Sequence, residues 1–161
     1  MSGSDSLGLL VFVVMNMVAA ASGALFRPGD WYEALAKPRW RPPNWLFGPA
    51  WSVLYSMNAV AGWLVWRDHD WETARGALAV YGVSLILNAG WSGVFFGLRR
   101  PGLALVELVG LWLSIAAMIA AFLPLHEGAA LLLLPYLCWV TFAGVLNHAI
   151  WRLNPQVSQA G

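Results

Sequence analysis

Residues 6–26 read SLGLLVFVVMNMVAAASGALF, a run without a single Asp, Glu, Lys or Arg. A helix needs roughly 20 mostly apolar residues to cross a bilayer, because the hydrocarbon core is about 30 Å thick and each helical residue rises about 1.5 Å. This run meets that length. It lacks a positive leading region and is too long for the core of a cleavable signal, so it reads as a span. The pattern repeats along the chain. Residues 42–66, 76–98 and 128–151 are also free of charge, and 101–126 holds one acid, Glu107. Lipid offers no hydrogen-bond partners to an open sheet, so the runs are predicted as helices, over 7–26, 46–66, 78–98, 102–123 and 129–151. Short links between them favour antiparallel neighbours. The expectation is an all-α membrane protein: one domain over residues 1–161, five transmembrane helices in a compact bundle, and a long first loop over 27–45.

Composition agrees. Charged residues make up 11% of the chain, less than half the roughly 25% of ordinary soluble domains. Mean hydropathy is +0.63. Nothing here suggests a nucleic-acid partner. A lone cysteine, Cys138, excludes an internal disulfide and a cysteine-based metal site. His69, His126 and His148 have no metal-ligand spacing, and no nucleophile–base pair stands out, so neither metal nor catalytic residues are assigned.

Basic residues set the sidedness. Seven of the nine, Arg27, Lys37, Arg39, Arg41, Arg99, Arg100 and Arg152, fall in the first loop, the 99–102 turn and the C-terminus. By the positive-inside rule these segments face the cytoplasm, with the N-terminus outside. Glu107 lies about 8 Å along its helix from Gly102, so an interface-level ion pair with Arg99 or Arg100 is expected. Asn16, Asn58, Asn88 and Asn147 are buried amides, suited to bonds between helices.

The chain has eleven tryptophans. Trp31, Trp66, Trp71 and Trp151 fall near span ends, where indoles favour the headgroup layer. Trp51, Trp91, Trp112 and Trp139 lie inside apolar runs, where a buried N–H needs an acceptor. Three aromatic stripes follow from helical spacing: Trp51, Tyr55 and Asn58; Asn88, Trp91 and Phe95; Trp139, Phe142, Ala143 and Leu146. They either pack the helices together or converge on a pocket for a flat ligand. Ala89, Gly93 and Gly97 form a small-residue stripe, which serves either a seam between two subunits or close packing inside one.

Residues 37–55 carry Lys37-Pro38, Trp40, Pro42-Pro43, Trp45, Phe47, Pro49, Trp51 and Leu54-Tyr55. With Asn88–Gly97 and Pro135–Asn147, this string closely resembles the tryptophan-rich sensory protein family, also called translocator proteins or peripheral benzodiazepine receptors. The resemblance covers nearly the whole chain. It implies a pocket between the helices, capped by the first loop, that binds porphyrins and, in some members, sterols or synthetic isoquinoline and benzodiazepine ligands, with no resident cofactor. On that reading the ligand-binding residues are Tyr32, Trp40, Pro42, Trp51, Tyr55, Asn88, Trp91, Phe95, Trp139, Phe142 and Ala143. Arg27, Lys37, Arg39 and Arg41 form a basic mouth for the propionates of a tetrapyrrole. Ala89, Gly93 and Gly97 become a homodimer seam. Lipids are the other expected partner, in a bacterial cell membrane or a mitochondrial outer membrane. The family's sterol string lacks its Tyr here, so a tetrapyrrole is the expected ligand. The expected role is a tetrapyrrole receptor or carrier in transport, sensing or stress response. Light- or oxygen-driven porphyrin breakdown and a purely structural role are the alternatives.

Overall fold

Proline and cap positions decide where the helices begin. The computed structural model describes residues 3–26 and 28–158. Helix α1 runs Gly3–Leu25, and a short α2, Asp30–Ala34, breaks the long first loop. Helix α3, Asn44–Asp68, starts directly after Pro42 and Pro43. Helix α4, Trp71–Ser92, is capped by Asp70, whose carboxylate accepts the Thr73 backbone N–H at 2.8 Å. It passes into a π-helical turn, Gly93–Gly97. Helix α5, Pro101–Phe122, has Pro101 in its first turn, where no N–H is missed. The last apolar run is two helices, α6 Glu127–Leu132 and α7 Leu134–Leu153, separated at Leu133 just before Pro135. A final turn, α8, covers Pro155–Ser158. No strand occurs among the described residues.

The expectation of five transmembrane helices is corrected. Among the described residues, four helical segments are long and apolar enough to cross a membrane: Ser4–Leu25, Trp71–Gly97, Pro101–Phe122 and Glu127–Leu153. Helix α3 has the length, 25 residues, but not the composition. Freedom from charge is not apolarity. Pro49, Trp51, Ser52, Tyr55, Ser56 and Asn58 bring ring nitrogens, hydroxyls and an amide into its charge-free run.

Helix α1 packs on α3 and α4, α4 on α5, and α5 on α7. At the end that carries Asp5 and Trp63 the fit is tight. The Trp63 indole donates to the Asp5 carbonyl at 3.0 Å. A Cβ at Gly8 would lie 2.1 Å from the Trp66 ring, and one at Gly62 would lie 2.8 Å from both Phe12 and Tyr81. Glycine there lets the backbones approach, which is how helices hold together when lipid competes for apolar contact. Asn16 donates to Tyr81 and Asn58 donates to Asn16 at 2.9 Å, joining α1, α3 and α4. His126, at the start of α6, approaches Asp68 at the end of α3 at 3.5 Å.

The expected Glu107 ion pair does not form. The Glu107 carboxylate lies over Gly90 of α4, where an added Cβ would collide with its Oε1, and among the described residues Glu107 has no salt bridge.

Candidate functional site

Two buried apolar clusters stand at different levels of the bundle. One holds Tyr81, Ile115, Met118 and Phe122; the other holds Tyr32, Phe95, Leu146 and Ile150 beneath the first loop. A cavity of about 790 Å³ takes walls from both, within the 300–1,000 Å³ range typical of small-molecule sites.

The three predicted stripes meet there. Trp51 and Tyr55 of α3, Asn88, Trp91 and Phe95 of α4 and its π turn, and Trp139 and Ala143 of α7 all line the cavity, as does Tyr32 of α2. Trp51 lies 5.4 Å from Tyr55 and 6.4 Å from Trp139, the latter nearly perpendicular at 83°. Trp91 is stacked on Phe95 at 5.1 Å and 30°. The polar groups form a short chain: the Tyr55 hydroxyl donates to the Asn88 carbonyl oxygen, and the Asn88 amide donates to the Tyr136 hydroxyl.

The indoles divide by partner. Trp112 donates to Thr141 at 2.8 Å, which ties α5 to α7. Trp91 and Trp139 have buried ring N–H groups with no partner among the described residues, and both line the cavity. Asn147 donates to the Pro101 carbonyl at 2.8 Å, but its own side-chain oxygen has no partner there. Two donors and an acceptor therefore border an apolar space without protein partners.

Three predicted residues lie outside the cavity. Trp40 rests edge-on against Phe142 of α7 at 6.0 Å. Phe142 instead borders a shallow hollow between α3 and α7, with Cys138 exposed beside it. Pro42 precedes Pro43, the N-cap of α3, and does not line the space.

The basic mouth is uneven. Arg27 lies outside the described residues. Lys37 donates to the Glu33 and Leu35 carbonyls, both at 3.0 Å, and stands 4.6 Å over the Tyr32 ring. Burial lowers its pKa from the ordinary lysine value, Glu33 opposes that shift and Arg41 adds to it. Arg41 donates to Asn44 at 2.7 Å and to the Tyr32 hydroxyl at 3.4 Å. Arg39 is exposed. The stripe Ala89, Gly93 and Gly97 has neighbours within the chain: a Cβ on Gly97 would be 3.0 Å from the Phe26 ring, one on Gly93 3.5 Å, and Ala89 packs on the core.

The sequence reading missed two contributors. Helix α1 supplies a whole wall through Val13, Asn16, Met17, Ala20 and Gly23, although it was read only as a span. Asn16, an amide inside an apolar run, was the available signal. Asn154 was not singled out at all. It is 2% exposed, accepts the Ala36 N–H at 2.9 Å, and donates to the Ala36 carbonyl at 3.0 Å and the Ile150 carbonyl at 2.7 Å. This amide pins the first loop to the end of α7.

The family model described as TspO/MBR matches residues 9–152. The chain belongs to the TspO/MBR family. Protein CrtK of Rhodobacter capsulatus is 42% identical over 146 residues, covering 90% of this chain and 91% of that protein. Tryptophan-rich protein TspO of Chlorobaculum tepidum is 38% identical over 156 residues, covering 92% and 97%. The human translocator protein is 40% identical over 148 residues, covering 89% and 88%. Membership in TspO/MBR and the apolar helices make this an integral membrane protein.

Proposed function

We propose that this TspO/MBR protein binds a tetrapyrrole in the cavity and acts as its membrane receptor or carrier. The observation that carries the reading is the pair of unpartnered indole N–H groups, Trp91 and Trp139, in an otherwise apolar, aromatic-walled space. A flat conjugated ligand with ring nitrogens or carboxylates supplies acceptors to those donors. It also stacks against the rings, worth about 0.5–1.5 kcal/mol per pair beyond area burial. Arg39 and Arg41 on the loop suit the ligand's carboxylates. The relatives' names, translocator and tryptophan-rich protein, fit such a role without fixing it. By the positive-inside rule, the first loop with Lys37, Arg39 and Arg41 faces the cytoplasm.

Protoporphyrin titrated into purified protein tests the reading through intrinsic fluorescence. Bound pigment quenches the cavity indoles, so Trp51→Phe and Trp139→Phe weaken the quenching or shift affinity, while Trp71→Phe, at the far surface, does neither. Equal effects from all three substitutions refute a localised site. Pigment absorbance followed under illumination separates binding from breakdown: a protein-dependent loss of the spectrum would turn the reading from carrier to enzyme.

A further inference from the structure

The first loop is tied down over the cavity, although Pro28 and Asn44 at its two ends line the cavity and are exposed, and the cavity also reaches the surface along α1 and α3. On the loop side, Asn154 holds Ala36 by both backbone groups, Arg41 bridges Tyr32 and Asn44, and Tyr32 itself is only 6% exposed, wedged edge-on against Phe95 and Phe96. On the side, α1 and α3 are joined by the Trp63–Asp5 and Asn58–Asn16 bonds, and no side-chain bond links them beyond Asn16 among the described residues. Met17 and Gly23 of α1 and Gly48, Ser52 and Ser56 of α3 line the cavity and are exposed at the same time. An added Cβ on Gly48 would meet nothing within 4 Å.

The surface of this seam is that of an apolar passage. Ser52 donates to the Gly48 carbonyl at 2.9 Å and Ser56 to the Ser52 carbonyl at 2.8 Å, so both hydroxyls are spent on their own helix. On α1 the seam is flanked by exposed Val14 and Val18, on a helix apolar enough to cross a membrane. The α1 side of the seam therefore borders lipid.

We propose that the α1–α3 seam is the route by which the ligand passes between the bilayer and the cavity, with Ser52 and Ser56 as its gate-width residues. The loop is then a fixed lid and not the door. This rests on the ligand reading above and adds the ligand's source: an amphiphilic planar molecule already dissolved in lipid. A doorway differs from a binding contact in its kinetics. Narrowing it slows arrival and departure alike and leaves the equilibrium constant where it was.

The test uses the full chain in lipid nanodiscs, protoporphyrin as the probe, and rapid-mixing fluorescence as the readout. Ser52→Phe and Ser56→Phe are expected to lower association and dissociation rates together, by about tenfold, with affinity changed less than about twofold. Ile86→Phe, an equally bulky change at an exposed position of α4 outside the cavity, leaves the rates as they were. Asn154→Ala, which frees the loop, also leaves them unchanged. The proposal is overturned if both Phe variants, folded by thermal midpoint, bind at the unmodified rate. It is equally overturned if Asn154→Ala speeds association, which makes the loop the door, or if the Phe variants lose affinity with an unchanged association rate, which makes the seam part of the site. Failure of the ligand reading looks different, because the unmodified protein then shows no protoporphyrin signal at all.

Discussion

Removing the Asn154 side chain is the sharpest perturbation of the lid that leaves the cavity walls untouched. Its amide makes two bonds to Ala36 and one to Ile150. A protein hydrogen bond contributes about 0.5–1.5 kcal/mol net, so losing the two to Ala36 costs the closed loop about 2 kcal/mol. At tenfold per 1.4 kcal/mol, the population with the loop released rises about 30-fold. The assay is amide hydrogen exchange over residues 30–41, read against residues 109–118 of α5 as an internal reference. Asn154→Ala is expected to raise loop exchange by about that factor and to leave α5 alone. Asn154→Asp keeps an acceptor for the Ala36 N–H but loses both donations, so it falls between the two. Unchanged loop exchange in Asn154→Ala, together with a lower thermal midpoint, would refute the reasoning and confine Asn154 to finishing α7.

Ala143 lines the cavity on the same face of α7 as Trp139, so Ala143→Leu is expected to lower protoporphyrin affinity by about tenfold or more while costing no more than the roughly 1–3 kcal/mol of ordinary overpacking, read as affinity and thermal midpoint on one sample. Arg39 is exposed and Arg41 is tied to Asn44 and Tyr32, so Arg39→Gln should give a salt-sensitive loss specific to carboxylated ligands, and Arg41→Gln a loss that salt does not erase and a neutral ligand shares; matching salt profiles would contradict the assignment. The Thr73 backbone N–H holds the Asp70 carboxyl below the usual carboxylate range, so the stability it lends α4 is present above the ordinary Asp value of about 3.9 and is lost as pH falls through the lower, folded value; Asp70→Asn, which keeps an acceptor but cannot titrate, flattens that acid limb of the thermal midpoint.

How much of this was legible beforehand varies by element. The apolar runs marked α1, α4 with its π turn, α5 and the α6–α7 stretch because crossing lipid demands a length and composition that a linear string displays. Helix α3 shows the limit of that signal: its run carries no charge, yet its indole, amide and hydroxyl groups leave it short of a spanning composition. The stripe residues Trp51, Tyr55, Asn88, Trp91, Trp139 and Ala143 were readable from i, i+4 and i+3 spacing, since helical periodicity fixes which side chains share a face. Phe142 broke that rule. It lies three residues from Trp139, within the tolerance of a stripe, but the turn of α7 carries it past the cavity rim to Trp40.

The sequence alone determined an all-helical membrane chain of the TspO/MBR family, because composition, periodicity and the motif around Trp51 are local properties of the string. Only the tertiary structure decided which faces meet. It made α1 a wall of the cavity, left the α1–α3 seam open, placed Glu107 over Gly90 instead of beside an arginine, and joined Ala36 to an asparagine 118 residues away. Those outcomes depend on helix rotation and separation, which are set by close contacts such as Gly62 against Phe12 and Tyr81. No spacing within a single helix encodes them.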